Sequence, residues 1–76
     1  MNETTTQIYP AQVEENMQYF YNSLSEKDKR HYAAVEAIKL GHGGISYIAQ
    51  LLGCSRQTIH VGVEELKKRL YSKHKE

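Results

Sequence analysis

The 76-residue sequence predicts an all-α domain of about four helices, in which three helices form a helix-turn-helix core and an amphipathic N-terminal helix is added to it. Apolar residues recur every three or four positions in successive segments, which is the period of a helix with one buried face. No segment shows the two-residue alternation and hairpin turns of a β-sheet. We expect a flexible arm at residues 1–9, one helical domain at residues 10–72 and a basic tail at residues 73–76.

The first helix is predicted at residues 10–24. Pro10 suits a first helical turn, and Glu14 and Glu15 lie near the helix end where the dipole favours negative charge. The apolar stripe of this helix consists of Val13, Met17, Phe20, Tyr21 and Leu24. We expect this stripe to pack on the core of the domain.

The second helix is predicted from Ser25 to about Leu40, because Ser25 followed by Asp28 resembles a capping box. Its apolar face consists of Ala33, Ala34, Ala37, Ile38 and Leu40, of which the three alanines are small. Small side chains let another helix approach closely. Gly41, Gly43 and Gly44 then favour the end of the helix and a tight turn.

The stretch ISYIAQLLGCSRQTIHVGV, residues 45–63, predicts two helices joined by a glycine turn. Ser46 is expected to cap a short helix ending near Leu52, and Ser55 to cap a helix that begins at Arg56. A helix-turn-helix needs a small residue where its helices cross and often has glycine in the turn. Ala49 and Gly53 supply these two features, so residues 46–70 are predicted to form the motif.

The last helix carries a buried stripe of Ile59, Val63, Leu66 and Leu70. Gly62 interrupts this helix, although glycine inside a helix costs about 1 kcal/mol relative to alanine. A close backbone contact with a neighbouring helix would explain it.

Burial of that stripe leaves polar residues exposed on the first half of the last helix, where a recognition helix contacts the major groove. The predicted base-reading residues are Ser55, Arg56, Gln57, His60, Val61 and Glu64. Arginine pairs with guanine, glutamine with adenine, and an apolar group contacts the thymine methyl. The predicted phosphate contacts are Ser46, Tyr47, Thr58, Lys67 and Lys68.

Charge is distributed unevenly along the chain, although the net charge is only +1. Residues 1–24 contain three acidic residues and no lysine or arginine, whereas residues 56–76 contain six basic and three acidic residues. A basic C-terminal third is compatible with a polyanionic partner such as DNA.

Other chemistry is not favoured by this sequence. His31, His42, His60 and His74 are too dispersed for a zinc pattern, and Cys54 has no partner for a disulfide. We therefore expect no metal, no cofactor, no small-molecule substrate and no enzymatic activity. No apolar run approaches the roughly 20 residues of a membrane span, and no signal peptide is recognisable, so a cytoplasmic location is expected.

Residues 24–66 resemble the N-terminal region of the rhodopirellula-type DDE transposases, over 43 of the 76 residues. The shared elements are an alanine-rich helix, a Gly-x-Gly-Gly-Ile turn, Gly-x-Ser, Thr-Ile and Gly-x-x-Glu-Leu. They occur here as Ser25, Ala33, Ala34, Glu36, Ala37, Gly41, Gly43, Gly44, Ile45, Ala49, Gly53, Ser55, Thr58, Ile59, Gly62, Glu65 and Leu66. His60 and Val61 depart from the pattern, since many members have arginines there.

The resemblance implies recognition of the terminal repeats of a mobile element, with cutting and joining assigned to a separate catalytic domain. That chemistry uses three clustered carboxylates and two metal ions, and this chain contains a single aspartate. Two alternatives remain open. One is a helical interaction module that forms a homodimer through residues 10–24, and the other is a stand-alone transcription regulator with the same DNA contacts.

Overall fold

The computed structural model describes residues 8–75, with side chains for residues 8–69. It contains four helices and no strand within this range: α1 (Ala11–Asn22), α2 (Glu26–Leu40), α3 (Gly44–Leu52) and α4 (Arg56–Lys75). The predicted all-α class is confirmed. Residues 1–7 of the predicted arm and residue 76 of the predicted tail lie outside the described residues, and α4 continues through residues 73–75 of that tail.

Helix α1 packs against α2 and α3 through a narrow line of contact. Met17 and Tyr21, one turn apart, are its buried residues. Val13 and Phe20 are 40% and 49% exposed, so the prediction that they belong to the buried stripe was wrong. Helix α1 makes few contacts with α2 and α3, which bury only Met17 and Tyr21 of this helix. The ring of Phe20 instead meets the ring of Tyr32 edge to face, with 5.2 Å between the ring centroids.

Helix α2 begins as predicted. The Ser25 hydroxyl accepts a hydrogen bond from the Asp28 backbone N–H at 3.2 Å, which satisfies one of the free N–H groups of the first turn. Its buried face is formed by Ala33, Ala34 and Ala37. Ile38 is 57% exposed, so its predicted place on that face was wrong, because α3 and α4 contact α2 along the alanines.

The alanine face allows α2 and α4 to approach until their backbones almost touch. A Cβ atom at Gly62 would lie 2.4 Å from the Arg30 carbonyl oxygen and 3.1 Å from the Ala34 Cβ. The predicted explanation of Gly62 is confirmed. Ile59, one turn earlier on α4, and Ile48 of α3 are completely buried and occupy the centre of the core.

Helix α3 begins three residues earlier than predicted. Its N-cap is Gly43 with φ +82°, and no side chain caps it, so the prediction that Ser46 is the N-cap was wrong. Two neighbouring glycines make the earlier start possible. Gly43 adopts a left-handed conformation at little cost, and Gly44 fits where a Cβ would lie 2.4 Å from the Ala37 carbonyl oxygen.

The turn between α3 and α4 matches the prediction. Gly53 has φ +75°, and the N–H groups of Gly53 and Cys54 both donate to the Ala49 carbonyl, at 2.9 and 3.0 Å. Ser55 then caps α4 by accepting a hydrogen bond from the Thr58 N–H at 3.0 Å. No helix within residues 8–75 is long and apolar enough to cross a membrane.

Candidate nucleic-acid interface

The six predicted base-reading residues, hereafter the reading row, are all exposed, and they lie on α4 or, for Ser55, at its N-cap. They are Ser55, Arg56, Gln57, His60, Val61 and Glu64. Helix α1 packs on α2 and α3 but does not contact α4 within the described residues. The reading row is therefore left uncovered by residues 8–69.

The surface beside the reading row is concave. Two adjoining hollows of about 410 and 520 Å³ lie between the α2–α3 turn, α3 and the start of α4. Ser46 and Arg56 line both hollows, so these residues stand at the centre of the concave surface. Both hollows are open to solvent, so they do not enclose a ligand as a small-molecule pocket does.

Arg56 is held across the two helices of the motif. Its Nη1 donates to the Ser46 hydroxyl oxygen at 3.3 Å, which connects the first turn of α4 to the first turn of α3. A guanidinium carries five N–H donors in a planar fork, so this bond leaves other donors for a ligand. The contact restrains the side chain in an exposed position on the concave surface.

Ser55 and Thr58 are used mainly within the fold. The Ser55 hydroxyl caps α4 and also lies 2.9 Å from the Thr58 hydroxyl. Each hydroxyl retains some capacity for a further hydrogen bond, because an oxygen has two lone pairs. Their first role is to define where α4 begins.

Two of the predicted phosphate contacts are well exposed lysines. Lys67 lies 3.6 Å from Glu64 in a pair that is more than 60% exposed on both sides. Such surface pairs contribute little, so the lysine is available to another anion. Lys68 is exposed and has no ion pair within residues 8–69.

Tyr47 has a different environment from the one expected of a phosphate contact. Its hydroxyl donates to the Glu14 carboxylate and accepts a hydrogen bond from the Tyr9 backbone N–H at 3.2 Å. Burial raises the pKa of Tyr47, and the bond to Glu14 raises it further. The structure places this side chain in the contact between α1 and α3, where its hydroxyl is already hydrogen-bonded within the protein.

Sequence reasoning missed two polar residues on the concave surface, Gln50 and His42. Gln50 lies one turn after Ser46 on the exposed side of α3, and His42 lies in the glycine turn beside His60 and Arg56. The four-residue spacing of Ser46 and Gln50 is a signal that could have identified Gln50. Nothing in the local sequence brings His42 next to α4, because that proximity arises from tertiary packing.

An ion-pair cluster holds α4 against α2 at the level of Gly62. The Glu65 carboxylate accepts two hydrogen bonds from Arg30, from Nε and Nη2, both at 3.1 Å, and lies 3.0 Å from His31 Nε2. The Arg30 hydrogen bond holds the pKa of Glu65 below its ordinary value, and His31 lowers it further against the opposing effect of desolvation. This bidentate pairing fixes the rotation of α4, and hence the direction of the reading row.

No group of three His, Cys, Asp or Glu side chains that could hold a metal ion occurs among the described residues.

The structure defines a four-helix domain whose last two helices form a helix-turn-helix with one uncovered polar face. No protein-family model, curated protein or solved structure matches the chain, and the transposase resemblance stays a prediction from sequence.

Proposed function

We propose that this protein binds double-stranded DNA in a sequence-specific manner through α3 and α4, without catalytic activity of its own. The observation that carries the proposal is the uncovered polar start of α4, where Arg56, Gln57 and His60 are exposed. Ser46 and Gln50 of α3 line the surface beside Arg56. A helix whose first half is polar, exposed and supported from behind by a second helix fits the major groove of B-DNA.

Base contacts are assigned to the row on α4. Arg56 pairs with guanine through two hydrogen bonds, Gln57 pairs with adenine, and Val61 contacts a thymine methyl. Val61 is 38% exposed, so its methyl groups are accessible for such a contact. Each bidentate pair contributes about 1–3 kcal/mol of discrimination against a wrong base.

Phosphate contacts are assigned to Ser46 at the start of α3 and to Lys67 and Lys68 on α4. These contacts orient the domain on the duplex and carry no sequence information. The Ser46 oxygen accepts a hydrogen bond from Arg56 in the free protein, and its own O–H remains able to donate to a phosphate oxygen.

The test begins with selection of sites from a random duplex library, followed by fluorescence anisotropy on the selected duplex. Arg56→Ala is expected to lower affinity for the selected duplex by roughly 5- to 150-fold and to relax preference at one base pair. Lys67→Ala is expected to weaken all duplexes alike and to reduce the salt slope by about 1. Lys39→Ala serves as control, since Lys39 lies on α2, where it pairs with Glu36.

Two results would contradict the proposal. Absence of any enriched site together with absence of salt-dependent binding would reject DNA recognition. Equal effects of Arg56→Ala and Lys67→Ala on preference would reject the division between base and phosphate contacts.

Within this proposal, recognition of the ends of a mobile element follows the transposase resemblance, and a cytoplasmic location is part of the same expectation. Transcription regulation uses the same contacts. A search of the adjoining DNA for a catalytic domain and for flanking repeats distinguishes the two roles.

A second candidate function is a homodimer formed through α1. The observation that favours it is the exposure of Val13, Tyr19 and Phe20, at 40%, 80% and 49%. Sedimentation equilibrium should then show a dimer that Val13→Ser and Phe20→Ser convert to monomer. A wild-type protein that remains monomeric at high micromolar concentration would exclude it.

A further inference from the structure

A second polar hollow lies between the first turns of α2 and the second half of α4, away from the concave face described above. It has a volume of about 350 Å³, and we call it the basic groove. Its lining residues are Lys27, Arg30, His31, Glu65, Lys68 and Arg69.

Positive charge is concentrated in the basic groove. Its lining contains four residues that are cationic at neutral pH and one carboxylate, that of Glu65. Glu26 lies near enough to act on Arg30 through its charge, and counting it still leaves an excess of two positive charges. The excess exceeds the net charge of the whole chain, which is +1.

The carboxylate of Glu65 does not neutralise the other cations. Both of its oxygens accept hydrogen bonds from Arg30, and one also lies 3.0 Å from His31. Lys27, Lys68 and Arg69 have no ion pair among the side chains of residues 8–69. Three cations therefore line one hollow without an ion-pair partner among the described side chains.

The basic groove is continuous with the reading row. Gln57, Val61, Glu64 and Lys68 follow one another at intervals of four, three and four residues, so they share one side of α4. Lys68 thus lines the basic groove and lies on the same side of α4 as Gln57, Val61 and Glu64 of the reading row. The rise of a helix separates Arg56 from Lys68 by about 18 Å, which exceeds the roughly 12 Å width of the major groove. When the start of α4 lies in the groove, its second half extends to the sugar-phosphate strand at the edge.

We propose that the basic groove binds backbone phosphate of the same duplex, outside the base pairs that the reading row contacts. This inference rests on the proposed DNA binding and extends the interface onto α2. Lys27 and Arg69 are its new ligands, and Lys68 lies between them and the reading row. Arg30 forms the back wall, held in place by Glu65.

The experiment compares two double variants that remove the same charge. Lys27→Gln with Arg69→Gln alters the basic groove, whereas Lys29→Gln with Lys39→Gln alters cations elsewhere on α2. Lys29 lies over the Tyr21 ring and Lys39 pairs with Glu36, so neither lines the groove. Lys27, Lys39 and Arg69 are exposed and Lys29 is half-buried, so thermal unfolding followed by circular dichroism is used to verify that both variants fold.

The groove variant is expected to bind the selected duplex on the order of tenfold or more weakly at 0.1 M salt, with a salt slope smaller by about 2. Its ranking of duplex sequences should equal that of the wild type, because phosphate contacts carry no sequence information. The control variant should stay within about threefold of wild type. Equal losses in the two variants would overturn the inference and leave the proposed DNA binding intact.

Neutral methylphosphonate linkages, placed one at a time along the duplex, provide a second measurement. At the phosphates held by the basic groove, the neutral linkage should weaken the wild type but leave the groove variant unchanged. If every linkage affects both proteins alike, no phosphate is held there and the inference fails. If the wild type binds all duplexes equally and the groove variant binds them more weakly, the basic groove is supported and base reading is rejected. If the wild type binds no duplex, both proposals are rejected.

Discussion

Replacement of Gly62 by alanine tests the close approach of α2 and α4, on which the position of the reading row depends. The added Cβ would lie 2.4 Å from the Arg30 carbonyl oxygen, whereas ordinary contacts begin near 3.4 Å, so the helices must separate by about 1 Å. Such overpacking costs about 1–3 kcal/mol. Alanine returns about 1 kcal/mol through its higher helix propensity. We expect a net loss of about 1 kcal/mol, and up to about 2 if the backbones resist separation.

Urea and thermal unfolding, followed by circular dichroism at 222 nm, measure this loss. A domain of this size loses roughly 4–8 °C in Tm per kcal/mol. His60→Ala and His60→Gly form the matched control, because His60 is exposed on α4 two residues away. The free energy of unfolding of His60→Ala should exceed that of His60→Gly by about 1 kcal/mol. If Gly62→Ala is also stabilising by that amount, the backbone contact does not limit the packing of α2 on α4, and the reasoning is refuted.

Two further changes test contacts elsewhere in the domain. Burial raises the pKa of Tyr21 to about 12, with added effects from the charge of Cys54, a hydrogen bond with Cys54 and the charge of Glu26. Because the unfolded chain ionises near pH 10, the folded state keeps the Tyr21 proton more tightly, so this contribution to stability is complete below pH 10 and is lost as the pH rises to about 12. The difference between the 295 nm absorbance titrations of wild type and Tyr21→Phe should show a phenolate forming near pH 12, and a midpoint near 10 would contradict the burial. Ser25→Ala should cost about 1 kcal/mol by removing the cap of α2, whereas Ser25→Asn should retain most of it; equal stability of wild type and Ser25→Ala in urea unfolding would show that the Asp28 N–H gains nothing from the cap.

Helix number and most helix boundaries could be predicted because they depend on neighbouring residues. Ser25 and Ser55 cap the N–H groups three residues ahead, and Gly53 adopts the left-handed conformation needed to leave α3. The start of α3 was predicted wrongly for a related reason. Ser46 is a good capping residue, but Gly43 and Gly44 allow the helix to begin earlier. Position 44 lies so close to the Ala37 carbonyl that a Cβ atom would not fit there.

Burial was harder to predict than helicity. Periodicity identifies which residues share a face, yet Val13, Phe20 and Ile38 lie on apolar faces and remain exposed. A face is buried only where another helix covers it, and in a domain this small the contacts between helices are narrower than the apolar stripes.

Part of the candidate interface could likewise be predicted from sequence, and part could not. The exposure of Arg56, Gln57 and His60 follows from the period of α4 and was predicted from sequence. The position of His42 near Arg56 and His60 was not predicted, nor was the hydrogen bond from the Tyr47 hydroxyl to the Glu14 carboxylate. Both depend on residues more than ten positions apart meeting in the folded chain.

The sequence by itself determined the all-α class, the glycine turn between α3 and α4, and the polar side of α4, because helical period, caps and left-handed glycines act over a few residues. Only the tertiary structure decided how far α2 and α4 approach, which apolar residues are covered, and that Lys27 and Arg69 meet in one groove. These features depend on the relative placement of whole helices. That placement is set by two contacts between α2 and α4. Gly62 lies against the Arg30 carbonyl, 32 residues away in sequence, and Glu65 pairs with the Arg30 side chain, 35 residues away.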